Sequence, residues 1–332
     1  MNSRLSLVAR HLTRPRPTLS TAAALSWRKS FPITAMASAS TADERSSRTI
    51  HTAACLIIGD EVLGGKAGPK PSTNSNHMAK WCFNLGINLK RIEVIADDES
   101  EIIEAVRRMS DRYDFVVTSG GIGPTHDDIT YSSIAKAFGL PLVLHEEAYA
   151  LMKKISKPHP GQPNFSWDVD SPALRAKLRM IELPTDENRE LSKQVIFPCE
   201  ELWVPVSVVN GNIHILPGVP RLFERLLDGI KPYIIDRLID PEGKGTVRII
   251  ISTPLPESEV APYLTELAAR VESKGVKVGS YPRWGMKTNT VTLVGKDKEF
   301  IESITPEVVQ AVKGNLVTVE GEDDETEQPE KN

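Results

Sequence analysis

Between residues 53 and 138, short apolar runs alternate with stretches whose apolar residues recur at helical spacing, and that rhythm constrains the fold more than any other feature. Residues 53–58 suit a buried strand. Met78, Trp81, Cys82 and Leu85 then fit one face of a helix that Thr73 or Asn74 caps and Gly86 ends. A strand is predicted over 89–95, a helix over 99–112 with Ile102, Ile103, Val106 and Met109 inward, and a buried strand over 114–119. Strand and helix in strict alternation imply an α/β fold: a parallel sheet in three layers, with helices on both faces and ligands at the carboxyl ends of its strands.

The last of these strands feeds Gly120-Gly121-Ile122-Gly123-Pro124-Thr125-His126-Asp127-Asp128-Ile129-Thr130, which opens a helix predicted over 129–138. Glycines remove the Cβ atoms that keep an anion from backbone N–H groups, and a helix start adds unpaired donors. The segment reads as a phosphate cradle at Gly120, Gly121 and Gly123, with Thr125 and Thr130 as further substrate contacts. Asp127 and Asp128 at its lip repel a diphosphate, since like unit charges ~4 Å apart cost about 4 kcal/mol at an effective dielectric of ~20. A divalent cation between them reverses that sign, and oxygen ligands suit a hard ion such as Mg²⁺. The same residues also suit a tight turn in which Asp or Thr simply caps the helix. The spacing is neither that of a P-loop nor that of a Rossmann turn.

No apolar run approaches the roughly 18 to 20 residues of a membrane span, so no membrane partner is expected. Cys55, Cys82 and Cys199 are odd in number and far apart, which supports neither a disulfide framework nor a thiolate zinc site. Residues 1–42 hold no acid but carry Arg4, Arg10, Arg14, Arg16, Arg28 and Lys29 among many Ser, Thr and Ala, a mitochondrial transit composition. Import into the matrix is expected, and Met36 offers a start for a cytosolic form. Losing those six basic residues takes the formal charge from −4 to −10, a body that repels nucleic acid.

Further on, residues 158–172 look like an exposed insertion without chemistry. Residues 206–209 and 213–216 flank Asn210-Gly211, a type I′ hairpin signal. Pro217-Gly218-Val219-Pro220 follows and leads into a helix with Leu222, Phe223, Leu226, Leu227, Ile230 and Ile234 inward. A first domain is therefore expected over 50–240. Over 246–319 the predicted order is β-α-β-β-α-β, a small ferredoxin-like α+β domain, and the acidic stretch 320–332 is expected to be a disordered tail.

With Gly59-Asp60-Glu61, the 120–130 loop and Leu216-Pro217-Gly218-Val219-Pro220 in this order and spacing, the chain resembles the MoaB/Mog molybdopterin-binding fold and, within it, the CinA branch. Gly279-Ser280-Tyr281-Pro282 and Trp284 make it similar to the molybdopterin-binding-like N-terminal region of animal FAD synthase. The adenylyltransferase domain of that synthase has no counterpart in these residues, so FAD synthesis is not expected. The resemblance implies metal-assisted attack of water on a dinucleotide pyrophosphate: FAD is cleaved to FMN and AMP, with ADP-ribose as a further substrate and Mg or Co as cation. It implies that Asp128 with Asp127 is the catalytic pair, binding metal or orienting water, and that Asp60 and Glu61 approach the metal from the end of the first strand. The family acid after the second strand aligns with Asp97 or Asp98, of which Asp97 is preferred. Gly218 and Asn74 join the substrate side, while Ser72 stands where the family carries Asp and removes one carboxylate from the metal side. Tyr281 and Trp284 are further candidates, for stacking on a flavin or adenine ring. Related folds form dimers or trimers, so a homo-oligomer is expected. Two other functions stay open: adenylyl transfer to molybdopterin or its binding, and nucleotide binding without catalysis.

Overall fold

The computed structural model describes residues 39–65, 73–156, 160–162, 164–241 and 245–322; the side chains of 39, 40 and 73 are outside that description. The arginine-rich stretch to residue 38, Ser72 and the tail from 323 therefore lie outside the described residues. The ordered body starts earlier than expected. Helix α1 (Ala39–Ser47) overlaps the segment assigned to the presequence. Ala42 is buried, and Arg45 reaches Ser110 Oγ at 2.8 Å and Asp111 Oδ1 at 2.9 Å. The short, polar helix carries no apolar stripe in its sequence, so only these contacts reveal it.

Strand β1 (Thr52–Ile58) is buried along nearly its whole length and leads through the single turn α2 (Asp60–Leu63) to helix α3 (Thr73–Asn84). Strand β2 (Asn88–Ile95), helix α4 (Glu99–Arg112), strand β3 (Phe115–Ser119) and helix α5 (Thr130–Phe138) follow. The next stretch carries β4 (Leu142–Leu144), α6 (Glu146–Ile155), α7 (Pro172–Leu178) and β5 (Glu182–Pro184). β4 and β5 pair as a separate antiparallel ribbon. A satellite core of Ala148, Met152 and Ile181 lies in this stretch, and Trp167 from the expected insertion packs onto it. The insertion is thus partly packed, because its aromatic residues supply the area that its polar ones lack.

Strands β6 (Val195–Ile196), β7 (Val206–Val209) and β8 (Ile213–Leu216) and helix α8 (Pro220–Ile234) complete the first unit. Its sheet runs β2-β1-β3-β8-β7-β6, with β2, β1, β3 and β8 parallel and β7 antiparallel to both its neighbours. The expected parallel sheet is therefore mixed. Asn210 at φ 52° and Gly211 at φ 77° form the positive-φ turn that the sequence signals, and a two-residue turn can join only antiparallel strands. β2 closes the other edge with Lys90, Arg91 and Glu93, charges that discourage pairing with a further strand.

The second sheet holds β9 (Val247–Thr253), β10 (Lys277–Tyr281), β11 (Asn289–Gly295) and β12 (Asn315–Val317), with helices α9 (Glu257–Val271) and α10 (Lys298–Ala311) between them. Its order, β10-β11-β9-β12, is antiparallel throughout and is that of a ferredoxin-like unit. Ile251, Leu267, Val291, Leu293 and Ile301 fill its core. The expected tail is ordered at its start, where Glu322 Oε2 accepts from the Thr318 hydroxyl at 2.8 Å. No helix among the described residues is long and apolar enough to cross a membrane.

At the centre of the main core, Trp81 stacks on Phe115 at 5.5 Å and His214 lies against the same ring at 4.3 Å. Burial pushes the His214 imidazole down to about 3 from 6.5. The folded ring stays neutral while the unfolded one takes a proton, so stability falls as pH drops through 6.5, by at most ~1.4 kcal/mol per pH unit. His214→Phe is expected to flatten this dependence between pH 6 and pH 4, read as urea midpoints at each pH.

Candidate functional site

Four parallel strands deliver their carboxyl-end loops to one edge of the first sheet. β1 leads to Gly59-Asp60-Glu61, β2 to Asp97, β3 to the glycine loop and β8 to Pro217-Gly218. Backbone geometry sets the start of the glycine loop. Gly120 adopts φ 111°, and a Cβ there would stand 2.1 Å from the Ile58 carbonyl oxygen, so only glycine lets β1 and the loop approach. Gly121 adopts φ 66°, and a Cβ would stand 2.2 Å from Thr130 Oγ1.

Hydrogen bonds decide which loop amides remain available. Gly120 N donates to the Leu216 carbonyl at 3.1 Å, and Gly123 N donates to Asp128 Oδ1 at 2.6 Å. These two amides, both assigned to phosphate in the sequence reading, are already engaged. Among the described residues, the N–H groups of Gly121 and Ile122 have no protein acceptor, so fewer loop amides are open than the sequence suggests, and one of them is not a glycine's.

The other expected contacts divide in the same way. Asp128 turns inward and accepts from Gly123 N, from Thr125 N at 2.9 Å and from Thr125 Oγ1 at 2.5 Å, which makes it the brace of the loop. Thr130 is fully buried and donates to the Gly120 carbonyl at 2.9 Å; it shapes the loop instead of facing the cleft. Asn74, also buried, donates to Ser119 Oγ and to the Gly218 carbonyl, both at 2.9 Å, and so ties the ends of β3 and β8 together. Gly218 closes the approach, since a Cβ there would meet Gly120 Cα at 3.2 Å.

The acids are likewise sorted. Asp98 caps α4 by accepting from Ser100 N at 2.8 Å and Glu101 N at 3.0 Å, which leaves Asp97 as the residue facing the site. Asp60 N donates to Asp97 Oδ2 at 3.0 Å and Asp97 N to Asp60 Oδ1 at 3.3 Å. Burial raises the Asp97 carboxyl above its ordinary range, and the charges of Asp60, Glu61 and Asp127 raise it further. Asp127 is exposed. His126 is almost fully exposed, with Nδ1 4.0 Å from Asp127 Oδ1. Among the described residues, no three His, Cys, Asp or Glu side chains form a ready ligand set for a metal.

Beside the loop opens a cleft of about 480 Å³. Gly120 to Pro124, Asp128 and Glu61 line one side; Met180, Trp203, Val204, Val219 and Leu222 supply apolar surface. Arg179 reaches over and donates to the Asp128 carbonyl at 3.3 Å. Sequence reasoning missed this apolar wall. Trp203 sits in an aperiodic stretch between β6 and β7, where it and Phe197 are the only aromatic residues. Trp284 and Tyr281, the expected stacking residues, are outside the cleft; Trp284 is fully exposed and Tyr281 about half exposed.

Residues 54–236, more than half of the chain, match the family described as probable molybdopterin binding domain. The chain belongs to the molybdopterin-binding-domain family. Residues 247–321 match the family described as FAD synthase, middle domain, so the resemblance drawn from the glycine loop and from residues 279–282 holds over both sheets. A probable FAD synthase of Caenorhabditis elegans is 31% identical over 276 residues, which cover 80% of this chain and 51% of that one. A Saccharolobus islandicus protein is 29% identical over 272 residues, covering 78% of this chain and 93% of its own. Among solved structures, the CinA protein of Thermoplasma acidophilum has 30% identity and a TM-score of 0.44, covering 56% of this chain and 98% of its own. The chain spans about half the length of the curated FAD synthases that it matches.

Proposed function

We propose that this family member is a divalent-cation-dependent pyrophosphatase that hydrolyses FAD to FMN and AMP and also accepts ADP-ribose. The observation that carries the reading is the pairing, in one cleft, of unengaged amides at Gly121 and Ile122 with an apolar wall at Trp203, Met180 and Leu222. An anion joined to an aromatic ring is complementary to both halves. Water attacks one phosphorus, the bridging P–O bond breaks, and two phosphomonoesters leave. The two amides stabilise charge that builds on the phosphoryl oxygens.

Asp127, Asp97, Asp60 and Glu61 surround the approach with negative charge, and each unit pair at ~4 Å opposes a diphosphate by about 4 kcal/mol. Oxygen donors without a closed cage fit an ion such as Mg²⁺, which takes one or two carboxylates plus substrate phosphate. Such a cation, Mg or Co, would be held by Asp127 with Asp97, Asp60 and Glu61 and would neutralise the diphosphate charge. Asp128 acts through the loop, as a positioning residue.

Chromatography of FAD, ADP-ribose and NADH after incubation with protein and each cation tests the reading. FMN and AMP in equal amounts are expected, and intact FAD bound without product would contradict it. Trp203→Ala is expected to raise KM for FAD about tenfold, in line with roughly 1–3 kcal/mol for a base stacked on an aromatic side chain, with kcat little changed. An unaltered KM would place the ring elsewhere. The family match over 54–236 favours a second reading, binding or adenylylation of molybdopterin. Incubation with molybdopterin and ATP separates the two by the product formed.

A further inference from the structure

A second pocket, of about 490 Å³, lies at the opposite edge of the first sheet, and no residue that lines it also lines the glycine-loop cleft. Ile87 and Asn88 line it where β2 begins, whereas Asp97 marks the site edge where β2 ends. Eight residues of strand, roughly 25 Å at about 3.3 Å per residue, separate the two. Lys274 in the turn before β10, Lys277 at the start of β10 and Lys296 just after β11 also line the pocket.

All three lysines are exposed, none forms an ion pair with another described residue, and no acidic residue lines the pocket. Asp297, next to Lys296 in sequence, is engaged at Phe300 N at 2.9 Å as the cap of α10. Lys296 Nζ lies near Gly86, just past the C-terminus of α3, where the helix dipole favours a cation. Lys274 Nζ lies 5.7 Å from the centroid of the Phe300 ring, so two of the lysines have a local partner and Lys277 has none. Arg248 adds a fourth cation at 5.4 Å over the Phe83 ring, and Phe83 is itself part of the lining. Beneath these charges the floor is apolar: Ala79, Cys82, Phe83, Ile87, Leu89 and Val294.

Like charges gathered at one pocket without a carboxylate among them repel one another, and in a body with a net negative charge such a group marks a place where an anion lowers the energy. Lysine serves phosphate as a point charge, and three suit a dianion. The volume falls in the ordinary range of small-molecule sites, and the floor needs a ligand with an apolar or aromatic body. We propose that this pocket is a second ligand site that binds an aromatic phosphomonoester of mononucleotide type, its phosphate among Lys274, Lys277 and Lys296 and its ring on the apolar floor. Because it joins segments of both sheets, its occupation couples the ferredoxin-like unit to β2 and so to the loop that carries Asp97. This site does not depend on the reaction proposed above.

Lysine acylation of the full chain, read residue by residue by mass spectrometry, tests it without a substitution in the pocket. FMN and AMP are the probes, with riboflavin and adenosine as their phosphate-free counterparts and inorganic phosphate as the ring-free one. Either nucleotide is expected to slow acylation of Lys274, Lys277 and Lys296 at least fivefold, and to do so equally in Asp128→Ala; the pattern between FMN and AMP identifies the preferred ring. Riboflavin, adenosine and phosphate at the same concentration are expected to leave the rates unchanged. Unchanged rates with both nucleotides, or equal protection by inorganic phosphate alone, overturn the proposal.

Discussion

Asp128→Ala is expected to lower FAD turnover about a hundredfold while moving the thermal midpoint by only a few degrees. The substitution removes the acceptor for Gly123 N, Thr125 N and Thr125 Oγ1 together, so residues 122–127 lose the bonds that fix their direction. A hundredfold corresponds to about 2.7 kcal/mol, the size of one misplaced anion-hole donor. The fold keeps its anchors, because Gly120 N still reaches Leu216 and Thr130 Oγ1 still reaches Gly120. The freed amides face water, which offsets most of the stability cost. Asp128→Asn retains one acceptor oxygen and is expected to fall between alanine and wild type. Steady-state turnover beside a circular dichroism melt checks the pair, and a loss of activity that merely tracks the melt would assign Asp128 to folding alone.

Gly120→Ala carries the largest expected loss of stability, about 4 kcal/mol. A Cβ at φ 111° would stand 2.1 Å from the Ile58 carbonyl oxygen, a backbone atom at the end of a strand paired on both sides. Conformational strain of about 1–3 kcal/mol adds to an overpacking cost of similar size, because β1 cannot retreat without disturbing β2 and β3. Gly139 is the control. It has φ 67° but nothing within 4 Å of an added Cβ, so Gly139→Ala is expected to cost only the left-handed strain, about 1 kcal/mol. Urea midpoints of the two variants beside wild type measure the difference, and equal midpoints would show that the close approach of loop and strand does not matter.

Local chemistry made much of the fold readable. The α4 bounds follow from the regular apolar spacing of Ile102, Ile103, Val106 and Met109, and the Asn210-Gly211 turn follows from the positive φ that both residues tolerate. The succession of strands and helices in the ferredoxin-like unit follows from the rhythm of apolar runs. What stayed hidden depends on partners distant in sequence. Glycines mark where an anion can approach, but Gly120 N is engaged by Leu216, and no local pattern announces that bond. Asp97 and Asp98 suit the acid position equally by spacing, and only the cap at Ser100 and Glu101 separates them. Trp203 reaches the cleft from a segment without periodicity, whereas Trp284, which the motif favoured, faces water. Helix α1 is held by Ser110, Asp111 and Arg189, all of them far along the chain.

The central claim is that the Gly121 and Ile122 amides hold a diphosphate whose bridge is then broken. ³¹P NMR of FAD with the full chain and Mg²⁺ or Co²⁺, quenched with chelator at intervals, reads that bond directly. The two pyrophosphate resonances are expected to decay together while two phosphomonoester resonances, those of FMN and AMP, grow in equal amounts. Pyrophosphate resonances that persist through prolonged incubation with either cation would contradict it.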